Sequence, residues 1–229
     1  MWGLSERLSL IYSLVPENSC VCDVGTDHGY LPTALCLNGK MKSVTATDIG
    51  KKPLENAREN IRKLGADGVK LILCDGLDGV GRDLADVVII AGMGGEVISG
   101  IMSRCAFAND STVTFILQPM TSADKLREFL YGNGFFIETE IPIKENGKIY
   151  SVMKVRHCGV KQEIDGVTKS IGKITPDSEY GRQYIKKQYD IAKKCEESLK
   201  LIIAKQEEYR QYRELKERLG RILEENNGI

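Results

Sequence analysis

The sequence predicts an α/β fold, a largely parallel sheet covered by helices on both faces, ended by an antiparallel hairpin and followed by a helical tail. Three observations predict it. Five apolar or β-branched runs alternate with helical stretches between residues 20 and 132, the pattern of a parallel sheet. The first run breaks abruptly into glycines and small polar residues, as a strand does when it feeds a ligand-binding turn and then a helix. The last two runs are joined through Asn146-Gly147, a strong hairpin signal.

The elements follow in order. Leu4, Leu8, Ile11 and Leu14 share one face of a first amphipathic helix. Cys20, Val21 and Cys22 form a short buried strand, and a helical stretch covers residues 33–37. Residues 43–48 make a second strand, ending in Asp48, and 53–64 a helix. The third run, 69–74, ends in Asp75-Gly76. The fourth, 87–91, shows no alternation and so is buried on both faces; it ends in Gly92-Met93-Gly94-Gly95. A helix over 96–103 leads to the fifth run, 113–117, which ends in Gln118-Pro119, and a helix over 123–132 follows. Residues 135–143 and 149–155 are the hairpin strands. In a parallel sheet the first five tips gather on one edge.

That edge is the candidate site. The turn Asp23-Val24-Gly25-Thr26-Asp27-His28-Gly29 needs glycine where the backbone bends and a ligand approaches without a Cβ in the way. Its spacing differs from the dinucleotide fingerprint Gly-x-Gly-x-x-Gly and puts Asp27 where a second glycine would stand. A carboxylate there is a poor host for a pyrophosphate. It suits a nucleoside with a cationic or zwitterionic tail, of which S-adenosylmethionine is the common example. Asp48, 23 residues beyond Gly25, is an acid placed to take a ribose diol. Asp75 and Gly76 can meet the exocyclic amine of an adenine. A nicotinamide dehydrogenase is disfavoured by Asp27 and by the closing hairpin.

Composition narrows the classes further. With 229 residues, a sheet domain of roughly 150 leaves too little chain for a second large core. No run approaches a membrane span and the first residues lack a signal-peptide pattern, so a cytoplasmic protein without a membrane partner is expected. Seven scattered cysteines fit small core residues in a reducing compartment, and with only two histidines no metal site is expected. Net charge is zero. Residues 169–194, however, hold seven basic and three acidic groups, with Lys186, Lys187, Lys193 and Lys194 set among Tyr180, Tyr184 and Tyr189. This stretch suits either an RNA backbone or an ordinary solvated helix face.

The tail carries a near-heptad apolar seam, Ile185, Ala192, Cys195, Leu199 and Ile202, resumed by Tyr212, Leu215, Leu219 and Ile222. It falters over 204–210, where Gln206, Glu207 and Glu208 are polar. One long helix paired with another chain and two helices folded as an antiparallel hairpin both satisfy the pattern. Residues 159–175 read as a linker or first docking segment, with Pro176-Asp177-Ser178 as the helix start. The expected division is a catalytic domain over 1–158 and a helical, coiled-coil-like domain over 159–229.

The set Leu4-Ser5-x-Arg7-Leu8, Asp23-Val24-Gly25-Thr26-Asp27-His28-Gly29-Tyr30-Leu31-Pro32, Cys74-Asp75-Gly76-Leu77, Ile90-Ala91-Gly92-Met93-Gly94-Gly95 and Leu117-Gln118-Pro119 resembles the bacterial TrmK-type tRNA (adenine-22-N1)-methyltransferases. The resemblance runs along the whole chain. It implies a class I, Rossmann-like methyltransferase sheet, S-adenosylmethionine as cofactor, tRNA as partner, a monomer or weak dimer, and the hairpin form of the tail. Two positions depart from the family's habit: Asp48 stands where Glu is usual, on a shorter reach, and Gly29 where Ala is frequent.

Roles follow as expectations. Asp23, Gly25 and Gly29 hold the methionine end of the cofactor, Asp48 the ribose, and Asp75 with Gly76 the adenine; Ala91 and Gly92 complete the cofactor wall. Asp27 stabilises a cationic product, and His28 either orients or stacks the target base or is a hydrogen-bonded structural histidine. Tyr30 stacks on that base or packs, packing being favoured. Gln118 offers donor and acceptor to an adenine edge. Arg7 meets a phosphate or Asp27, Met93 lines the pocket or packs into the core, and Gly94 lies on the substrate side. The alternative is a methyltransferase for a small molecule or protein, with the tail as a dimerisation element. A non-catalytic RNA-binding module is disfavoured by the acids at 23, 48 and 75.

Overall fold

The computed structural model describes residues 3–225. Its centre is a seven-stranded sheet of order β3-β2-β1-β4-β5-β7-β6. The strands are β1 (Cys20–Val24), β2 (Ser43–Asp48), β3 (Val69–Leu73), β4 (Val87–Gly94), β5 (Thr114–Thr121), β6 (Phe135–Glu145) and β7 (Lys148–His157). The first five are parallel; β7 lies antiparallel to β5 and to β6. The order reverses between β1 and β4, so the connections leave in opposite directions and open a crevice at those two carboxyl ends. The interior runs Val88, Ile89 and Ile90 beside Phe115, Ile116 and Leu117, all fully buried, as strands covered on both faces require.

Helices α1 (Glu6–Ser13), α2 (Tyr30–Leu37), α3 (Lys51–Lys63), α4 (Gly95–Arg104) and α5 (Ala123–Gly132) cover the sheet. Ser5 caps α1 by accepting the Leu8 N–H at 3.4 Å. Helix α2 starts at Tyr30, three residues before the sequence pattern suggested: Pro32 falls in the first turn, where its missing N–H costs no intrahelical bond. Strands β4 and β5 run past their apolar stretches. Gly92, at φ +80°, is a bulge that lets Met93 pair with Pro119 and Gly94 with Thr121. In the β6–β7 turn Asn146 and Gly147 have φ of +50° and +73°, the two left-handed positions of a tight hairpin.

The tail is an antiparallel pair, α7 (Glu179–Leu199) and α8 (Gln206–Glu225), preceded by a short α6 (Gly166–Ile171) inside the expected linker. The chain turns back over residues 200–205, earlier than the faltering seam suggested. Glu207 and Glu208, which interrupt the seam, are the first turn of α8, where carboxylates favour the positive end of the helix dipole. Ile171, Ile174, Tyr184, Ile185 and Leu219 bury their side chains with Ile149 of β7, so the pair rests on the sheet domain. Lys216 of α8 meets Glu196 of α7 at 2.6 Å. All seven cysteines are free thiols.

Candidate active site

The turn after β1 is held by one carbonyl. Both Gly25 and Thr26 donate their N–H to Thr47 O, at 2.8 and 3.0 Å, and Gly29 N–H closes the turn onto Thr26 O at 2.9 Å. Gly25 takes φ +74° and Asp27 φ +46°, a conformation unusual for a residue with a side chain. Asp27 is kept there by Asp48, whose Oδ2 accepts the Asp27 N–H at 3.3 Å while Oδ1 accepts that of Gly50 at 2.8 Å. Gly29 serves packing as well as the turn: a Cβ there would stand 3.1 Å from Ala57 Cβ of α3.

Asp23 is buried beneath this turn. Burial pushes its carboxyl up to about 6; the neighbouring Thr26 hydroxyl pulls the other way and the charge of Asp48 adds to the rise. The Thr26 hydroxyl itself is buried without a well-formed hydrogen bond. A desolvated carboxylate with the buried Thr26 hydroxyl beside it, and a glycine turn lacking a Cβ, fit the polar, cationic end of S-adenosylmethionine. Met93 forms the opposite wall. Its Cε lies over Gly25, where a Cβ would stand only 2.1 Å away.

Asp27 and His28 are exposed on the rim, with Asp27 Oδ2 3.4 Å from His28 Nε2. The His28 carbonyl accepts from Asn60 of α3 at 3.0 Å. Tyr30, for which packing was favoured, is half exposed and sets its ring 5.5 Å from that of His28. The two rings are inclined by 31° to each other on the same rim as Asp27.

Other expected residues have different partners. Asp75 is half exposed and paired with Arg104 of α4 at 3.0 Å, and the Gly76 carbonyl turns inward to the Thr47 hydroxyl at 2.9 Å. Gln118 is fully buried. Its Oε1 accepts from Arg7 Nη1 at 2.8 Å and Gly92 N–H at 3.1 Å, and its Nε2 donates to Pro119 O at 2.9 Å. Its amide is therefore engaged internally, tying α1 and β5 to the bulge of β4. Arg7 turns away from Asp27: its Nε meets Glu145 of β6 at 3.0 Å. Ala91, Gly92, Met93 and Gly94 together form the β4 tip.

The four lysines lie on α7 rather than at the strand tips. Lys186 pairs with Asp190 and places its ammonium 5.2 Å from the Tyr189 ring centre. Lys187 donates to Ile149 O at 3.1 Å, and burial followed by the charge of Lys148 lowers its pKa. Lys193 and Lys194 are exposed. Among the described residues no His, Cys, Asp and Glu group is placed to hold a metal. Thr26, Thr47, Asn60, Arg104 and Glu145 were not singled out by sequence pattern. Only Thr26, inside the turn motif, carried a signal.

A mixed sheet of this order, five parallel strands closed by an antiparallel hairpin, with an acid–glycine turn at the switch point and an acid at the next tip, defines a class I S-adenosylmethionine-dependent methyltransferase. Known proteins agree. Residues 4–153 match the family described as a methyltransferase domain. The tRNA (adenine(22)-N(1))-methyltransferase of Bacillus subtilis (strain 168) is 31% identical over 172 residues, 75% of this chain and 72% of that protein. A crystal structure from Streptococcus pneumoniae, of a candidate tRNA (m1A22) methyltransferase with S-adenosyl-L-methionine, superimposes with TM-score 0.79 at 28% identity, covering 96% of this chain and 99% of that one. The B. subtilis TrmK structure shares the fold, with TM-score 0.85 at 23% identity over 97% of this chain and 100% of that one. The chain belongs to the TrmK-type tRNA (adenine-22-N1)-methyltransferase family.

Proposed function

We infer that this protein transfers the methyl group of S-adenosylmethionine to N1 of adenine 22 in tRNA. The observation that carries the reading is its membership of that family, at 31% identity to a named tRNA (adenine(22)-N(1))-methyltransferase. The Asp23-to-Pro32 turn and the glycine-rich β4 tip support it at the site.

Bound in the crevice, S-adenosylmethionine supplies an electrophilic methyl on a sulfonium. Adenine N1 is unprotonated and nucleophilic at neutral pH, so the chain needs no general base to start. Its residues must align N1 in line with the methyl, exclude water and stabilise positive charge as it reaches the purine. Alignment supplies up to roughly 7–11 kcal/mol in the best intramolecular cases. Asp23 and the Gly25 turn hold the methionine end, Asp48 the ribose, and the half-exposed Asp75 the cofactor adenine. Asp27 lies at the rim as an acceptor for the cationic product, with His28 and Tyr30 as a surface for the target base. Gln118 and Arg7 act by holding the Gly92 bulge in place rather than by touching the base.

We place the protein in the cytoplasm as a monomer or weak dimer. Seven free thiols fit a reducing compartment. The seams of α7 and α8 meet at Ile185, Leu215, Leu219 and Ile222 beside Ile149, so the heptad pattern has a partner within the chain, while Leu201, Ile202 and Ile203 at the turn stay exposed. Among the described residues no helix is long and apolar enough to cross a membrane. The division at 158/159 is likewise our proposal; the tail's apolar cluster is separate from the sheet's main core and closes on Ile149 of β7. Of the four lysines expected to meet the tRNA backbone, Lys193 and Lys194 are the exposed pair we propose for it, with Lys186 engaged by Asp190 and Lys187 by Ile149 O.

The test is transfer to two transcripts differing only at position 22. Methylation of the adenine form and not of the guanine form is expected; equal transfer to both, or to neither, contradicts the assignment.

A further inference from the structure

One buried guanidinium joins the sheet domain to the tail. Arg127 of α5 is fully buried, and its partner Glu140 of β6 is enclosed with it. All five N–H groups of the side chain are used. Nε donates to Glu140 Oε1 at 3.1 Å, and Nη2 to the same oxygen at 2.6 Å. Nη1 donates to the carbonyls of Lys169 and Ser170, at 2.7 and 2.9 Å, near the C-terminus of α6. The second Nη2 hydrogen reaches Tyr184 Oη of α7 at 2.8 Å.

The tail is shaped around this pair. The Lys173 N–H donates to Glu140 Oε2 at 3.1 Å. Gly172, at φ +58°, passes so close that a Cβ would stand 1.9 Å from the same oxygen. At the other end of α6, Asp165 caps the helix by accepting the Thr168 N–H at 2.8 Å and pairs with Arg218 of α8 at 2.6 Å. Helix α6 is thus pinned to the sheet domain at one end and to α8 at the other. An apolar interface alone would let two packed surfaces slide; a planar fork filled at every donor fixes one orientation.

We propose that Arg127, braced by Glu140, is a positioning residue for methyl transfer, setting the angle of the α7–α8 arm so that tRNA held on the arm delivers its adenine to the turn at Asp27. This rests on the tRNA reading above. Neither residue lies among the exposed lysines Lys193 and Lys194 or in the Asp23–Gly29 turn, so disturbing the pair is expected to move one relative to the other. Small displacements remote from the chemistry are costly: about 1 Å can slow a reaction roughly 10²-fold.

The experiment compares wild type with Arg127→Lys, which keeps the charge but not the fork, and with Tyr184→Phe, which removes a single bond and keeps the ring. Binding of S-adenosylmethionine, binding of tRNA and single-turnover transfer are measured well below the melting temperature. For Arg127→Lys the proposal expects both affinities within about threefold of wild type and a transfer rate at least about tenfold lower. For Tyr184→Phe it expects a smaller fall in the same rate. If Arg127→Lys does not fold, Tyr184→Phe and Glu140→Gln decide. Unchanged transfer rates in the folded variants, or a loss of cofactor affinity that accounts for the slower rate, overturn the proposal. Wild-type protein that methylates no tRNA overturns the underlying function instead.

Discussion

Asp48 holds Asp27. The Asp27 N–H points at Asp48 Oδ2, 3.3 Å away, across a turn in which Asp27 takes a left-handed backbone. The acid expected to bind the cofactor's ribose therefore also supports the acid at the rim of the reaction site. With the roles proposed above, this carboxylate would couple cofactor binding to transfer.

The first expected outcome concerns that coupling. Asp48→Ala removes both acceptors, from Asp27 and from Gly50. Hydrogen bonds to a charged group are each worth about 1.5–3 kcal/mol. Cofactor affinity should fall by roughly tenfold or more, and transfer at saturating cofactor should fall as well. Calorimetry and single-turnover rates separate the two; a loss confined to affinity would show that Asp27 stands without this support.

Asp27 itself separates side chain from backbone. Asp27→Asn keeps a residue that tolerates positive φ, whereas Asp27→Ala does not. Asp27→Asn removes the charge and Asp27→Ala the acceptor as well. In a water-excluded site such a loss reaches roughly 10² to 10³ in rate; at the exposed rim a smaller fall, on the order of tenfold, is expected. Both variants should transfer more slowly while binding cofactor, and Asp27→Ala should also melt lower. Full activity in Asp27→Asn would move the stabilising role elsewhere.

Gly25→Ala tests the cradle. The new methyl meets Met93 Cε and forces an L side chain to φ +74°. The left-handed backbone costs about 1–2 kcal/mol, and Met93, whose methyl already fills that space, must shift and reshape the wall proposed for the methionine end. Loss of cofactor binding from a protein that still folds is expected by equilibrium dialysis and thermal melting. Retained binding would place the methionine end elsewhere.

Asp23 gives the pH dependence. Its carboxyl is raised to about 6 from the ordinary 3.8, first by burial. The ionised form, which attracts an ammonium, is lost as pH falls through 6, so cofactor affinity should weaken toward tenfold per pH unit below that value. Stability runs the other way. A carboxyl whose folded pKa is raised binds protons more readily folded than unfolded, so this group's burden is relieved as pH falls from about 7 toward about 4. The full shift corresponds to about 3 kcal/mol. Asp23→Asn should raise the melting temperature of the free protein at about pH 8, where the wild-type carboxylate is ionised, and flatten the pH profile of binding. An unchanged profile would exclude Asp23 as its source.

On the tail, Lys193 and Lys194 differ from Lys187. The first two are exposed, while Lys187 donates to Ile149 O. Lys193→Ala with Lys194→Ala should weaken tRNA binding with no change in melting temperature. The salt slope should fall by about 1 for each phosphate that a lysine no longer neutralises. Lys187→Ala should lower stability as well. An unchanged salt slope in the double variant would remove those two lysines from the interface.

The sheet was legible because each strand is an apolar run closed by a recognisable tip, as at Asp23-Val24-Gly25 and Asp48. The hairpin was legible because Asn146-Gly147 supplies two positive φ values. What escaped is what long-range pairing decides. Arg7 pairs with Glu145, 138 residues away, and Gln118 turns its amide to Arg7 and Gly92; no local pattern states either partner. The tail's turn was displaced for a similar reason. Glu207 and Glu208 look like a flaw in an apolar seam, and only the reversal at residues 200–205 makes them a helix start.

The most direct measurement is to incubate the protein with unmodified bacterial tRNA and methyl-labelled S-adenosylmethionine, digest the tRNA and identify the labelled nucleoside. Label is expected in 1-methyladenosine, at position 22, and is expected to accumulate more slowly in an Asp27→Ala variant that still binds cofactor. Label in another nucleoside, or no transfer to any tRNA from a protein that binds the cofactor, would contradict the assignment.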